Sequence, residues 1–211
     1  MVYLLYYRLD TIWETNRLAG YLRALPDRFV RKVAQYRYPE DRQTRIAGRL
    51  LLQEGLRELG CKRTLDDIRY STYGKPYFPG CDIRFNIAHS RATVTCVLSD
   101  ESEVGIDTEE RSAIQVSDYE RLIPNHIYKE ITRQPDRVSA FLSYWTSLEA
   151  SLKAEGKGFL LSTDNIVIDN QYARVRNRTW YLSGPDLFPG NTTTIASFKP
   201  VEGYRQRELF L

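Results

Sequence analysis

The chain contains few of the residues that build disulfide frameworks or transition-metal sites. Its three cysteines, Cys61, Cys81 and Cys96, cannot all pair, and none stands in a Cys-x-x-Cys spacing. We therefore expect neither a disulfide framework nor a zinc site. Only two histidines occur, His89 and His126, so a bound metal should be a hard cation held by carboxylates. The cysteine usage favours the reducing cytoplasm.

Long apolar runs are also absent. No run approaches the ~18–20 residues that a membrane span needs, and the first residues lack the basic segment and cleavage site of a signal peptide. The formal net charge of +3 is too small to indicate nucleic-acid binding. However, residues 1–49 hold ten Lys and Arg against five Asp and Glu, whereas residues 100–110 hold six acids and no Lys or Arg. This distribution would place a polyanion beside a metal; the alternative is two solvated faces of opposite sign.

Apolar and aromatic residues are abundant enough for a folded core, with 42% hydrophobic residues and 15 Tyr, 8 Phe and 3 Trp. The spacing predicts helices over 16–25, 27–37, 40–59, 116–131 and 135–155. It predicts strands over 2–8, 68–72, 83–87, 92–99, 103–108, 165–169, 172–176, 179–183, 193–199 and 205–210. Strands and helices thus occur twice in a similar order, which indicates two α/β halves that meet around residues 100–112.

The most informative stretch is the acidic segment 103–110, Glu-Val-Gly-Ile-Asp-Thr-Glu-Glu. Alternate side chains of a strand share a face, so Asp107 and Glu109 point the same way, with Cα atoms roughly 7 Å apart. Two ionised carboxylates so placed repel each other unless a cation lies between them, which suits Mg²⁺. Gly105 on that face is expected to leave room for a ligand. The alternative is an edge strand whose polar face meets water.

The helix predicted over 135–155 carries a carboxylate on its apolar side. At ~100° per residue, Glu149 falls between Leu142 and Trp145 in an apolar stripe. A buried carboxylate is costly unless it is paired, hydrogen-bonded or metal-bound. Lys153 lies one turn later, but a surface Glu–Lys pair at this spacing contributes only about 0.3–0.5 kcal/mol. Because that gain does not explain a charge on the packed side, we favour a functional role for Glu149.

Two further motifs are weaker when each is taken alone. The segment 85–90, Phe-Asn-Ile-Ala-His-Ser, is a strand end that presents His89 and Ser90, where binding groups are commonly placed. The segment 74–76, Gly-Lys-Pro, is a turn that exposes Lys75. The alternatives are a structural histidine and an ordinary turn.

Together with residues 145–158, Trp-Thr-Ser-Leu-Glu-Ala-Ser-Leu-Lys-Ala-Glu-Gly-Lys-Gly, these motifs resemble in order and spacing those of the surfactin-type (Sfp-type) 4′-phosphopantetheinyl transferases. The resemblance covers residues 30–160, approximately. It implies an α+β fold of two similar, pseudo-symmetric subdomains, each a small, mainly antiparallel sheet with packed helices. Residues 1–103 would form the subdomain on the nucleotide side of coenzyme A. Residues 104–211 would carry the metal carboxylates, the long helix and the carrier-docking surface.

The resemblance further implies Mg²⁺-dependent transfer of 4′-phosphopantetheine from coenzyme A to a serine of an apo acyl or peptidyl carrier protein, with release of 3′,5′-ADP. Asp107, Glu109 and Glu149 would hold the metal. Glu149, directly or through a bound water, would accept the serine proton, and Lys153 would contact the pyrophosphate. The residues implied to bind the nucleotide end of coenzyme A are Lys75, His89, Arg45 and Lys32.

The chain departs from the family pattern at two positions near the site. Leu148 stands where lysine is usual, and Ala88 stands where serine is usual. Leucine in place of lysine removes a cation, and alanine in place of serine removes a hydroxyl. Both changes leave the metal carboxylates in place, so we expect them to affect substrate affinity rather than activity.

The apolar stretch 122–128, interrupted by Pro, Asn and His, has two interpretations. It is either an exposed patch that docks the carrier protein or a helix–loop–helix packed on the second half. We expect the chain to be a monomer with no nucleic-acid or membrane partner.

Two other functional classes are open on the sequence. An RNA-binding module would use the many Tyr and Arg residues, with aromatics interleaved with basic residues on exposed strands. The segment containing Tyr3, Tyr6 and Tyr7 fits a buried strand better. The second class is a catalytically inactive interaction protein of the same fold.

Overall fold

The computed structural model describes residues 1–157 and 166–211. Its α-helices are α1 Thr15–Arg23, α2 Asp27–Ala34, α3 Pro39–Glu58, α4 Asn125–Thr132 and α5 Arg137–Glu155. Its strands are β1 Val2–Arg8, β2 Arg69–Tyr70, β3 Pro76–Tyr77, β4 Arg84–His89, β5 Thr93–Ser99, β6 Val104–Glu110, β7 Ile166–Ile168, β8 Tyr172–Val175, β9 Arg178–Ser183, β10 Asn191–Ser197 and β11 Tyr204–Glu208. Gly158 and residue 165, which the predicted motif and strand include, lie outside the described residues.

Two sheets, each covered by one long helix, form the framework. The first has the order β11-β1-β5-β4 and packs against α3; it is antiparallel except for the parallel pair of β1 and β11. The second, in the order β6-β10-β9-β8-β7, is antiparallel throughout and packs against α5. Amphipathic helices that bury one side against an apolar sheet face produce this layering. The predicted α+β class with mainly antiparallel sheets is therefore confirmed.

The two sheets meet where edge strand β4 of the first lies beside edge strand β6 of the second. Asn86 Oδ1 accepts a hydrogen bond from the Ile106 N–H at 2.9 Å. Farther along, Ser90 Oγ donates to Glu109 Oε2 at 3.0 Å. The division into residues 1–103 and 104–211 stays a prediction, with one addition: β11 pairs within the first sheet although it follows residue 104.

The stretch predicted as one helix over 116–131 is interrupted. A 3₁₀ turn spans Val116–Tyr119, and α4 begins only after Pro124. Proline disfavours helical backbone at the residue before it, which explains the break. Ile123 is 5% exposed and belongs to the core under α5, whereas Leu122 is 56% exposed. The interpretation of 122–128 as an exposed patch is thus wrong for Ile123, where the packed alternative holds.

Within residues 1–157 and 166–211, no helix combines the length and the apolar character that crossing a bilayer requires. Cys61, Cys81 and Cys96 are all free thiols, as expected from their number and spacing.

Candidate active site

Strand β6 runs directly against helix α5, and this contact depends on Gly105. A Cβ at Gly105 would lie 2.2 Å from the carbonyl oxygen of Ala150 and 2.4 Å from the amide nitrogen of Ala154. Val104 and Ile106, on the opposite face, are buried in the core between the sheets. The expectation that Gly105 leaves room for a ligand is wrong, because the space is occupied by the helix backbone.

Asp107, two residues along the same face, is the most buried carboxylate of the site. It is only 4% exposed, so it does not project toward solvent as an edge strand would allow. Its Oδ1 accepts from Lys153 Nζ at 2.5 Å, whereas its Oδ2 is buried and has no hydrogen-bond partner among the described residues. Burial raises the pKa of Asp107 to about 7; Lys153 offsets part of this effect, and the charges of Glu149 and Glu109 add to it.

Lys153 is shared between two carboxylates. Its Nζ lies 3.7 Å from Glu149 Oε2, one turn earlier on α5. Burial by itself would lower the pKa of Lys153, but Asp107 and Glu149 outweigh that cost and raise it. The Glu149 side chain is 16% exposed, which confirms its predicted place on the packed side of the helix. The structure therefore brings Asp107, Glu149 and Lys153 together.

Glu109 lies at the outer end of β6, where Ser90 supports it. The pKa of Glu109 is raised mainly by burial, while the hydrogen bond from Ser90 and the charge of Lys153 oppose the rise. Burial, and then the charge of Glu109, also raises the pKa of Tyr119. The Tyr119 ring packs edge-on against Trp145 at a centroid distance of 5.0 Å, and the charges of Glu149 and Asp107 also act on its phenol.

The fit of these carboxylates to a metal can be judged from their geometry and chemistry. Among residues 1–157 and 166–211, no three His, Cys, Asp or Glu side chains converge closely enough to form a metal-binding group. However, Asp107, Glu109 and Glu149 are all oxygen donors of the kind that hard cations take. Oδ2 of Asp107 is an acceptor that residues 1–157 and 166–211 leave unused. The donor set thus suits Mg²⁺.

Cationic and polar groups adjoin the carboxylates at the end of β4. His89 is exposed, but desolvation of its ring, and then the charges of Arg45 and Lys153, lowers its pKa to about 4. Arg45, on α3, places its guanidinium carbon 5.0 Å from the centre of the Tyr36 ring. A cavity of about 400 Å³ is lined by Tyr38, Glu40, Asp41, Thr44, His89, Ser90 and Arg91. Lys32 is exposed on a separate element, α2, and its contact with the nucleotide end stays a prediction.

Lys75 lies apart from this cationic group. Its Nζ donates to Glu103 Oε2 at 2.6 Å and to the Ala154 carbonyl oxygen at 2.6 Å. The ammonium is therefore engaged by the residue before β6 and by the end of α5, and its contact with coenzyme A stays a prediction.

Sequence reasoning missed several residues that position the site, including Asn86, Glu103 and Tyr119. Asn86 offered a usable signal, since an amide within an otherwise apolar strand needs a hydrogen-bond partner. Glu103 and Tyr119 carry no such local signal, because their partners come from distant segments.

Comparison with known proteins gives the family. Residues 103–191 match the model of the 4′-phosphopantetheinyl transferase superfamily. The 4′-phosphopantetheinyl transferase AcpT of Salmonella typhimurium is 33% identical over 140 residues, which are 63% of this chain and 67% of that protein. The chain belongs to this superfamily. The family predicted from the four motifs is thereby confirmed.

Two further relatives from the superfamily show how much of each protein is matched. The 4′-phosphopantetheinyl transferase gsp of Aneurinibacillus migulanus is 35% identical over 130 residues, 58% of this chain and 54% of that protein. The 4′-phosphopantetheinyl transferase Sfp of Bacillus subtilis is 29% identical over 143 residues, 65% of this chain and 62% of that protein. The matched regions span between 54% and 67% of the three relatives' own lengths.

Proposed function

We propose that this protein transfers the 4′-phosphopantetheine group of coenzyme A to a serine of an apo acyl or peptidyl carrier protein and releases 3′,5′-ADP. The observation that carries the proposal is the convergence of Asp107, Glu149 and Lys153 beside His89. Superfamily membership supports coenzyme A as the donor and a carrier protein as the acceptor. Carboxylates next to cations suit a diphosphate that is bound together with a metal ion.

In this proposal Asp107, Glu109 and Glu149 are the residues that would hold Mg²⁺. The unpartnered Oδ2 of Asp107 supports the assignment. When bound, the ion would neutralise charge on the pyrophosphate and stabilise the charge that develops on the leaving group.

The phosphates of coenzyme A would be bound by Lys153, His89 and Arg45. In the free protein, desolvation and the charges of Arg45 and Lys153 lower the pKa of His89 to about 4. In either protonation state His89 would donate a hydrogen bond to a phosphate oxygen. Lys32, exposed on α2, would add a cation at the nucleotide end on the strength of the family resemblance. Direct binding by Lys75 would have to compete with its ion pair to Glu103.

The transfer itself is a substitution at phosphorus. The serine Oγ attacks the phosphorus that carries pantetheine, and a new Oγ–P bond forms. The bond from that phosphorus to the bridging oxygen of the pyrophosphate breaks, and 3′,5′-ADP leaves with this oxygen and its electron pair. The serine proton passes to Glu149, directly or through a water, and general-base help of this kind contributes roughly 10²–10⁴-fold to a rate.

The two other functional classes differ from this proposal in what they require of the molecule. An RNA-binding surface would need exposed strand aromatics. Tyr3, Tyr6 and Tyr7 are buried, whereas Tyr70, Tyr77 and Tyr181 are exposed on β2, β3 and β9, so salt-sensitive RNA binding without coenzyme A binding would favour that class. An inactive interaction protein would keep the fold and fail to turn over. Cytoplasmic location and a monomeric state remain predictions from the sequence.

The test is mass spectrometry of a panel of apo acyl and peptidyl carrier proteins after incubation with coenzyme A and Mg²⁺. We expect one carrier to gain the mass of phosphopantetheine on serine. Asp107→Asn should abolish the gain, whereas the exposed control Asp10→Asn should preserve it. A folded wild-type protein that modifies no carrier in the panel, while Mg²⁺ and coenzyme A fail to change its thermal stability, would contradict the proposal.

A further inference from the structure

The Gly-Lys-Pro turn between β2 and β3 reaches across to the second half of the molecule. Lys75 Nζ lies 2.6 Å from Glu103 Oε2 and 2.6 Å from the carbonyl oxygen of Ala154. Glu103 immediately precedes β6, which carries two of the candidate metal ligands, and Ala154 follows Lys153 on α5. One ammonium group therefore joins the two elements that carry the reactive side chains.

The surrounding backbone holds Lys75 in this position. Ser71 Oγ accepts from the Lys75 N–H at 3.1 Å, and the Ser71 N–H donates to the Lys75 carbonyl oxygen at 2.9 Å. Gly156, which ends α5, has a φ of +75°, and a Cβ there would lie 2.6 Å from Lys75 Cδ. The side chain of Lys75, 15% exposed, thus lies over the end of α5, where a cation also interacts favourably with the helix dipole.

Glu103 balances the charge of this contact. Its other oxygen, Oε1, accepts from Arg84 Nε at 2.7 Å. Although burial opposes it, Lys75 and then Arg84 hold the pKa of Glu103 below its ordinary value. Glu103 is therefore ionised at neutral pH, and the charge of Lys75 is already compensated within the protein.

We propose that Lys75 and Glu103 are positioning residues for the transfer reaction. Together they clamp the beginning of β6 to the end of α5, and so set the separation of Asp107 and Lys153. This role rests on the proposed transfer function. It differs from a direct contact of Lys75 with coenzyme A, in which Glu103 would compete with the polyanion for the ammonium.

The two roles predict different effects for Glu103→Gln. If Lys75 bound coenzyme A, the substitution would free the ammonium and remove a repulsive charge, so the KM for coenzyme A would fall. If Lys75 positions α5, the substitution loosens the clamp and lowers kcat, while the KM for coenzyme A changes little. Because a misplacement of about 1 Å costs up to roughly 10²-fold in rate, we expect the loss of this clamp to lower kcat by about 10-fold.

The experiment measures kcat and the KM for coenzyme A in Lys75→Met, in Glu103→Gln and in the double variant, each well below its melting temperature. We expect both single variants to lose about 10-fold in kcat, and the double variant to be no slower than the slower single variant, because both break the same contact. Glu208→Gln is the matched control. It removes the 2.7 Å ion pair with Arg8 in the first sheet and should leave kcat unchanged.

Three outcomes would overturn the inference. One is a lower KM for coenzyme A in Glu103→Gln. Another is a raised KM for coenzyme A in Lys75→Met with kcat unchanged, which would make Lys75 a substrate ligand. The third is kcat within twofold of wild type in both single variants.

Hydrogen exchange gives a second readout that does not depend on the reaction. The amides of Glu155 and Gly156, at the clamped end of α5, should exchange faster in both single variants, whereas amides of α3 should not change. If the wild-type chain transfers no phosphopantetheine, the proposed function is wrong, but the exchange data still test whether Lys75 and Glu103 hold β6 against α5. Unchanged exchange at these amides would then overturn it.

Discussion

Replacement of Gly105 by alanine should separate β6 from α5 and impair both stability and transfer. The added Cβ would lie 2.2 Å and 2.4 Å from two backbone atoms of the helix. Backbone cannot move aside as a flexible side chain does, so the strand and the helix must separate by about 1 Å to restore ordinary contact. The same shift would move Lys153 on α5 away from Asp107 on β6.

The size of the effect follows from these distances. Overpacking of a tight interior typically costs about 1–3 kcal/mol, and a contact with two backbone atoms belongs at the upper end. For a chain of this size each kcal/mol lowers the melting temperature by roughly 2–4 °C, so we expect a loss of about 4–12 °C. A displacement of about 1 Å between reacting groups should lower kcat by up to roughly 10²-fold.

Thermal unfolding and a carrier-modification assay, both run on Gly105→Ala, measure the two effects. Gly20→Ala is the matched control, because a Cβ at Gly20 meets no atom of the described residues within 4 Å. This substitution in helix α1 should stabilise the protein by about 0.5–1 kcal/mol. A Gly105→Ala protein with the wild-type melting temperature and wild-type kcat would refute the reasoning.

Three further predictions concern single side chains. Glu149→Gln should lower kcat by at least about 10²-fold with little change in melting temperature; normal turnover in a saturating assay would show that Glu149 is only a tolerated buried charge. Ile123→Asp should cost more than about 3 kcal/mol of folding free energy in a urea titration, because it places a charge in the core. Leu122→Asp should leave stability unchanged and raise only the KM for the carrier protein. Equal effects of Leu122→Asp on the KM for the carrier and for coenzyme A would exclude Leu122 from carrier docking. Hydrogen bonding by Arg57 lowers the pKa of Glu54 from 4.5 to about 2. The folding free energy contributed by ionised Glu54 is therefore present above pH 4.5 and is lost as the pH falls toward 2. Unfolding measured across this range should depend less on pH in Glu54→Gln than in wild type, and identical pH profiles would contradict the assignment.

Local sequence signals predicted most helices and strands of the fold. The long helices α3 and α5 begin and end within two residues of their predicted limits, because amphipathic spacing marks their length and Gly60 and Gly156 mark their ends. The prediction of one helix over 116–131 was wrong because the apolar spacing continues across Pro124, whereas the helical backbone is interrupted before it. The pairing of β11 with β1 was not predictable, since alternation within a strand says nothing about its partner.

The candidate site shows the same division between local and distant information. The apolar stripe of α5 predicted that Glu149 lies on the packed side of the helix. The alternation of β6 predicted that Asp107 shares a face with Gly105 and Glu109, but not that this face is buried. These patterns did not predict which segments pack against the two faces. The contact of the α5 backbone with Gly105 and the ion pair of Lys75 with Glu103 were therefore missed. Both depend on contacts between segments far apart in the chain.

The parallel pairing of β1 with β11 has a consequence for protein synthesis. Tyr6 and Glu208, which face each other in this pair, are 202 residues apart, so β1 is translated long before its neighbour exists. Until then the nascent first sheet has an outer edge of unpaired backbone groups, the kind of edge that recruits other chains. Strand β11, which is translated long after β1, therefore protects the edge of β1. A ribosome that stalls within β7–β10 would release a chain in which this edge of the first sheet is still exposed.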